Sequence, residues 1–342
     1  PRLRGRPVAV GGGVVLAAGY EAKRQGVSTP MSGHQARALC PGLIVVPPDF
    51  AAYTEASRAV FEIFRRTTPL VQGVSIDEAF LDVSGLRHID GSPVEIAARL
   101  RREVAHEVGL PITVGVARTP FLAKVASQVA KPDGLLEVPP DGEDAFLHPL
   151  PVERLWGVGE ATATKLRGYG IRTAGDLAEL PEQVLLGLLG GAGGRHLHAV
   201  VHGRTATALT LGRHRTSIGA QRALGQGPHT EHVHAALLGL VDRVTHRLRE
   251  SHKLAGCVVL RLRFGDYTSA TRSHTLPHAT SATTRLAGAA TSLLRDASPL
   301  IAARGITLVG IALTGLQTDE IEQPELSFEA LPLGVAGAGT RD

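Results

Sequence analysis

Hydrophobic positions along this chain change their period several times, and each change marks an element. Two apolar runs, 8–10 and 14–18, flank Gly11-Gly12-Gly13, the arrangement of a hairpin closed by a glycine turn. A short helix is predicted over 32–39, ended by Pro41, and a strand over 43–46 before Pro47-Pro48. Ala56, Val60, Phe61 and Phe64 recur at helical spacing, which predicts an amphipathic helix over 53–67. Two β-rich arms, 70–75 and 79–83, predict a second hairpin bent between Val74 and Glu78. Helices are predicted over 93–108 and 121–130, with an apolar strand of the buried type at 112–117 between them. This order is α+β, with helices on one sheet face and the other face open.

From about 141 to 205 the pattern changes to short helices and glycine turns, with a second glycine cluster at 190–194 that reads as a further hairpin or a flexible turn. Residues 206–215 are a linker. From Thr216 a separate β-α-β-β-α-β unit is predicted, with strands at 216–222, 257–264, 270–276 and 306–316 and helices at 232–249 and 283–296. Along 257–264 the alternation turns Val258, Leu260, Leu262 and Phe264 inward and Arg261 and Arg263 outward. Arg272 and His274 share one face of the next strand, so arginine is expected on the open face of this sheet. The tail beyond 318 is polar, and 329–342 is rich in glycine and alanine, the composition of a disordered segment.

Composition narrows the classes. A chain of 342 residues with 43% hydrophobic content can bury two or three cores. No apolar run reaches the roughly 20 residues that span a bilayer, and no charged-then-apolar leader is present, so a cytoplasmic protein away from membranes is expected. Cys40 and Cys257 are far apart and read as reduced, buried thiols. The net charge of +4 agrees with a nucleic-acid partner without requiring one. The positive charge is nearly all arginine; the lysines are Lys23, Lys124, Lys131, Lys165 and Lys253.

Candidate chemistry starts at Asp77 and Glu78. In a straight strand these neighbours point to opposite faces, and only a bend lets both serve one site. Carboxylates gathered at a hairpin tip suit a hard cation such as Mg²⁺, which takes oxygen ligands and keeps water and phosphate in its shell; an exposed acidic turn is the other reading of such a pair. Tyr20 with Lys23 and Arg24, and Lys131 before Pro132-Asp133-Gly134, fit phosphate binding or ordinary solvated charge. The run Leu155-Trp156-Gly157-Val158-Gly159 fits a helix-hairpin-helix, whose glycines allow a tight turn with backbone N–H groups facing a phosphate. Arg204, Arg213 and Arg215 suit a linker strand that crosses a DNA backbone. Two histidine clusters, at 196, 198, 202 and at 229, 232, 234, lack H-E-x-x-H spacing and a nearby cysteine, and read as solvated or phosphate-facing.

Four ordered stretches together resemble the Y-family DNA polymerases, best their DinB branch. Ser75 to Asp82 is similar to the family's S-I-D-E-A-[FY]-L-D signature, 20–26 to its Y-E-A-R-x-x-G element, and 114–134 to its V-G-[IV]-[AS]-x-[NT]…A-K-P-[DN]-G segment. Gln323, Leu326, Ser327 and Phe328 resemble the peptide that docks on the bacterial sliding clamp. The resemblance implies a right-hand polymerase: fingers in 1–50, palm in 51–138, a thumb with the helix-hairpin-helix in 139–205, the linker, a little finger in 216–317, and a clamp-binding tail. It implies error-prone translesion synthesis without proofreading, with primer-template DNA and deoxynucleoside triphosphates as partners, two Mg²⁺ ions, and a monomer. By the same resemblance Asp77 and Glu78 are metal ligands, Glu78 is also catalytic, and Tyr20, Lys23 and Lys131 hold the triphosphate; Lys23 stands where the family pattern has arginine. By the same resemblance Gly157, Val158, Gly159, Arg215, Arg261 and Arg263 are expected to contact DNA. The family's D-x-D-[AC]-F-[FY] strand, source of another metal-binding aspartate, has no match in this chain, so an upstream start and little or no polymerase activity of the chain as written are expected. A non-catalytic adaptor that binds DNA and the clamp is the alternative.

Overall fold

A computed structural model describes residues 3–212, 215–225 and 230–318. The chain divides into two compact units, Pro1–Gly212 and Arg213–Asp342, and both mix helix and sheet.

In the first unit, β1 (Val8–Gly11) pairs antiparallel with β2 (Val15–Ala18) and parallel with β3 (Ile44–Val46). The turn depends on Gly11, at φ 151°, where a Cβ would lie 2.1 Å from the Val14 carbonyl oxygen. α1 (Tyr20–Arg24) and α2 (Gly33–Leu39) help enclose a small core of Ala9, Val15, Ala22, Val27, Ala36, Cys40 and Leu43. Ser32 and Gln35 close a capping box at the start of α2.

α3 (Phe50–Thr67) starts earlier than its periodicity predicts because the Asp49 side chain caps it, accepting from Ala52 N at 3.0 Å. The predicted hairpin is present as β4 (Val71–Gly73) and β5 (Ala79–Leu81), with Gly73 opposite Ala79. α4 (Pro93–Glu107) opens on a Ser92–Glu95 capping box. Val71, Ala79 and Leu81 pack on Ile63 and Phe64 of α3 and Leu100 and Val104 of α4. Strand alternation therefore sends Gln72, Glu78 and Phe80 to the face opposite α3 and α4.

β6 (Val114–Val116) and β7 (Leu135–Glu137) form a parallel pair joined through α5 (Pro120–Val129). Gly115 lets α5 lie directly on β6: a Cβ there would be 2.1 Å from the Ala123 oxygen and 2.5 Å from Ser127 N. β7 was not predicted; three residues after a turn carry too little periodicity, and the strand exists because β6 pairs with it.

α6 (Glu143–Leu147), α7 (Glu160–Gly168), α8 (Ala174–Ala178) and α9 (Glu182–Val201) gather around Leu147, Val152, Leu155, Leu166, Leu177, Leu185 and Leu197. The glycine cluster is neither a free turn nor an open loop. Gly190, at φ 78° and ψ 170°, breaks α9, and Gly194 lets the two halves touch, since its Cβ would sit 2.6 Å from the Leu185 oxygen. Among the described residues α9 is the one helix long and apolar enough to cross a membrane by length and composition. It is broken at Gly190, and Leu185, Leu197, Val200 and Val201 are buried in this core.

The second unit runs β8 (Ser217–Ala223), α10 (Thr230–Glu250), β9 (Lys253–Arg263), β10 (Ser269–Thr280), α11 (Thr283–Asp296), α12 (Ser298–Arg304) and β11 (Leu308–Thr318). The sheet is antiparallel in the order β10-β9-β11-β8, the predicted unit with α12 added. One core of Val233, Leu237, Val244 and Leu248 from α10, Leu286 and Leu293 from α11, and Val258, Leu260 and Leu262 from β9 seals one face.

Register corrects one expectation about the other face. Arg261 lies opposite Thr271 and Gly310, and Arg263 opposite Ser269 and Leu308, so both arginines occupy the open face. Arg272 pairs with Leu260 and His274 with Val258, which puts them on the helix side of the sheet, exposed at its edge strand. Cys257 is likewise only half-buried, because it lies opposite Thr275 and Thr314 on the open face; Cys40 is buried as expected.

Candidate active site

The bend of the β4–β5 hairpin is closed by its own backbone. Val74 N and Ser75 N both donate to the Glu78 carbonyl oxygen, at 2.8 and 3.2 Å. Ser57 of α3 donates its hydroxyl to the Ile76 carbonyl, so the tip is also held from the helix below. Asp77 is exposed at this bend; the Ser75 hydroxyl donates to its Oδ1, and Asp77 N donates back to that hydroxyl at 3.3 Å. Glu78, its side chain 37% exposed, forms an ion pair with Lys124 of α5, whose side chain is only 12% exposed.

Lys124 is a partner of the acidic bend that motif reading passed over. Its signal was faint: one of five lysines in an arginine-rich chain, set among Phe121, Leu122, Val125 and Ala126, all buried. A lysine placed in so apolar a helix needs a partner.

The open side of the hairpin collects two further contacts. The Phe80 ring meets Trp156 with centroids 5.7 Å apart at 58°, tying the residue next to Gly157 to the strand that follows Glu78. The Gln72 side-chain oxygen accepts from Thr210 N at 2.9 Å, anchoring the linker stretch on β4. Asp82, the third acid of the motif, is committed elsewhere: its Oδ1 accepts from Ser84 N at 2.9 Å.

Two carboxylates at an exposed bend fit a hard divalent cation that keeps water and phosphate oxygens in its remaining positions. Among the described residues no group of three or more His, Cys, Asp or Glu is gathered that could hold an ion by itself. The histidines have other neighbours: His196 lies against Phe121, His202 Nδ1 is 2.8 Å from the His198 carbonyl oxygen, and His234 Nε2 is 3.4 Å from the Thr291 hydroxyl.

The expected nucleotide ligands fall in two places. Tyr20, 46% exposed, opens α1, and Lys23 one turn on sets its ammonium 5.1 Å from the Tyr20 ring centroid. Arg24, the neighbouring cation, faces Glu21 at 3.8 Å. Lys131 is exposed just past the end of α5. Among the described residues no hydrogen bond, ion pair or ring contact joins Lys131 to the Tyr20–Lys23 pair. The Lys131 turn is braced by Arg101 of α4, which donates to the Asp133 carboxylate at 2.7 Å and to the Ile112 carbonyl at 3.1 Å. Gly134 is obligatory in it, because a Cβ would fall 2.0 Å from the Ala130 oxygen.

The expected DNA contacts lie on three surfaces. Gly157, at φ 95°, makes the turn before α7, and Gly159 caps that helix without a side-chain hydrogen bond, leaving its first N–H groups available. Arg215 is exposed. Arg261 is exposed on the open sheet face; Arg263 is half-buried and donates to the Thr307 hydroxyl at 3.1 Å. Gln323, Leu326, Ser327 and Phe328 lie outside the described residues, as do Arg213 and His229.

Comparison with known proteins decides the family. The model of the impB/mucB/samB family matches residues 1–128, its C-terminal domain 215–326, and the IMS family HHH motif 140–171. A DNA polymerase IV 2 from Mesorhizobium japonicum is 47% identical over 338 residues, covering 98% of this chain and 80% of that protein. The chain belongs to the impB/mucB/samB family, the DinB branch of the Y-family DNA polymerases. Another member, a DNA polymerase IV from Halorhodospira halophila, is 36% identical over 94% of this chain and 92% of its own length. Among solved structures, a Y-family DNA polymerase chimera of Dbh and Dpo4 superimposes with a TM-score of 0.79 at 22% identity, over 93% of this chain and 94% of its own. An insertion ternary complex of Dbh DNA polymerase gives 0.65 over the same shares. Over the 93% of the chain that is matched, the fold is that of these polymerases.

Proposed function

We propose that this chain is a translesion DNA polymerase that adds deoxynucleotides to a primer 3′ end on intact or damaged template, without proofreading. The observation that carries this reading is the pair Asp77 and Glu78 at a closed hairpin bend, Asp77 exposed and Glu78 paired to Lys124, in a chain whose curated relatives are named DNA polymerase IV. The same relatives count against a non-catalytic adaptor.

In this reading 1–50 are fingers, 51–138 palm, 139–205 thumb, 206–215 a linker, 216–317 little finger, and the tail from 318 carries the clamp peptide. Bound Mg²⁺, two ions per site, supplies activation of the primer hydroxyl and neutralisation of the leaving pyrophosphate. Asp77 and Glu78 present carboxylate oxygens to the metal; the second ion needs an acid beyond these two. Tyr20 and Lys23 grip the triphosphate from one side and Lys131 from another, at a turn that Arg101 keeps in place. Lys23 offers a point charge and no bidentate fork. Gly157 and Gly159 meet one backbone phosphate through N–H groups, at a turn closed by Val158 N donating to the Leu155 carbonyl oxygen at 3.0 Å, and Arg215, Arg261 and Arg263 meet others, so DNA is held without reading its sequence. The enzyme acts as a cytoplasmic monomer recruited through Gln323, Leu326, Ser327 and Phe328.

Extension of an end-labelled primer in Mg²⁺ is the test. Template-directed products that vanish in Asp77→Asn and in Glu78→Gln, with DNA binding retained, support the reading. Extension that survives both substitutions sinks it.

A further inference from the structure

We propose that Lys124 is a positioning residue of the metal site: its ammonium holds the Glu78 carboxylate on the open side of the hairpin and occupies the cation's place until a cation arrives. This rests on the reading of Asp77 and Glu78 as metal ligands.

Both ends of the pair are anchored by backbone. Lys124 rides on a helix seated on β6 at a distance that Gly115 fixes, with Ala123 and Ser127 backbone atoms where a Cβ would be. Glu78 sits at a bend where its own carbonyl accepts from Val74 and Ser75. A flexible surface lysine would find a carboxylate by chance; here two rigid supports deliver the charges to each other.

Burial sharpens the point. The Lys124 side chain is 12% exposed, and among the described residues its one ion-pair partner is Glu78. An ammonium so far from water is costly unless a specific carboxylate meets it. Among the described residues Asp77 has no such cation: it is exposed, and the Ser75 hydroxyl donates to its carboxylate. The two acids are therefore prepared differently. Asp77 is open to an incoming ion, and Glu78 is pre-aimed by a positive charge that the ion must displace or share. Lys124 fixes where the Glu78 oxygens lie and weakens cation binding by like-charge repulsion.

The test uses the full chain and needs no turnover. With five lysines in the sequence, the ammonium groups can be resolved by ¹H–¹⁵N correlation. The Lys124 signal, assigned by its loss in Lys124→Met, is expected to move in Glu78→Gln and again when Mg²⁺ is added to the DNA-bound chain. Mn²⁺ binding followed by electron paramagnetic resonance is expected to tighten roughly tenfold in Lys124→Met. In primer extension the same variant is expected to lose kcat while the nucleotide KM stays within about twofold, and Lys124→Arg to restore most of the rate. Unchanged Mn²⁺ affinity in a folded Lys124→Met, or a Lys124 signal indifferent to Glu78→Gln, overturns the proposal. If Glu78→Gln abolishes Mn²⁺ binding while Lys124→Met leaves it alone, only the role of Lys124 fails. If neither Asp77→Asn nor Glu78→Gln alters Mn²⁺ binding, the metal site itself fails, and this role with it.

Discussion

The β4–β5 hairpin and the four-stranded sheet of the C-terminal unit each pack one face on helices. They are held together in different ways. The C-terminal sheet has strands of 11 and 12 residues whose inward side chains merge with two helices into one continuous core. The hairpin has strands of three residues, half-buried apart from the exposed Gly73, and is placed by single polar contacts from Ser57, Thr68, Lys124 and Thr210. Long-strand burial supplies stability, while a short hairpin pinned at several points supplies placement with both acids left accessible.

That contrast breaks most visibly at the acids. Asp77→Asn is expected to cost roughly a thousandfold in primer extension, since metal ions contribute several kcal/mol of charge stabilisation. The residue is exposed, so urea unfolding should shift by less than about 0.5 kcal/mol. A large loss of stability would mean that the hairpin is a structural element after all.

The reverse pattern is expected for Leu260→Ala. Leu260 is fully buried, and its truncation should destabilise the C-terminal unit by about 2–5 kcal/mol. Chemistry at the hairpin should survive wherever the unit remains folded. Equal damage to metal binding would erase the division between the two regions.

Smaller effects refine the account. Lys23→Ala should weaken deoxynucleotide binding about tenfold and leave DNA affinity nearly intact; equal loss of both contradicts the role given to Lys23. A double-mutant cycle between Phe80→Leu and Trp156→Ala should give a coupling of about 1 kcal/mol. No coupling would mean that the turn at Gly157 is not tied to the acidic hairpin. The smallest effect is at Asp266, whose carboxyl is held down to about 2 by the Thr268 hydroxyl, Arg304 and the Thr268 N–H. Its folded value lies below the ordinary 3.8, so this stabilisation is complete above 3.8 and is lost as pH falls toward 2. Asp266→Asn should flatten that part of the acid-unfolding curve; an unchanged slope removes Asp266 from the account.

Periodicity made most of the elements legible, and a long motif made the acids legible. Val258, Leu260 and Leu262 alternate because both helices cover one face of β9, which the chain states locally. What stayed hidden was set by partners distant in sequence. β7 has three residues and takes its strand form from β6. The side of the sheet on which Arg272 lies follows from its register with Leu260, which nothing within its own strand specifies. The pairing of Lys124 with Glu78 spans 46 residues and depends on Gly115, a glycine whose meaning appears only once α5 lies on β6. Gly190 and Gly194 looked like a loop signal and instead let two helical halves fold closely together.

The most direct test of the acidic bend as a metal site is affinity cleavage. Fe²⁺ replaces Mg²⁺ in the chain bound to primer-template and deoxynucleotide, and ascorbate with peroxide then cuts the backbone beside the ion. The account predicts cuts within about 74–80, reduced in Asp77→Asn and in Glu78→Gln and suppressed by excess Mg²⁺. Cuts confined to other segments, or unaltered in both variants, would contradict it.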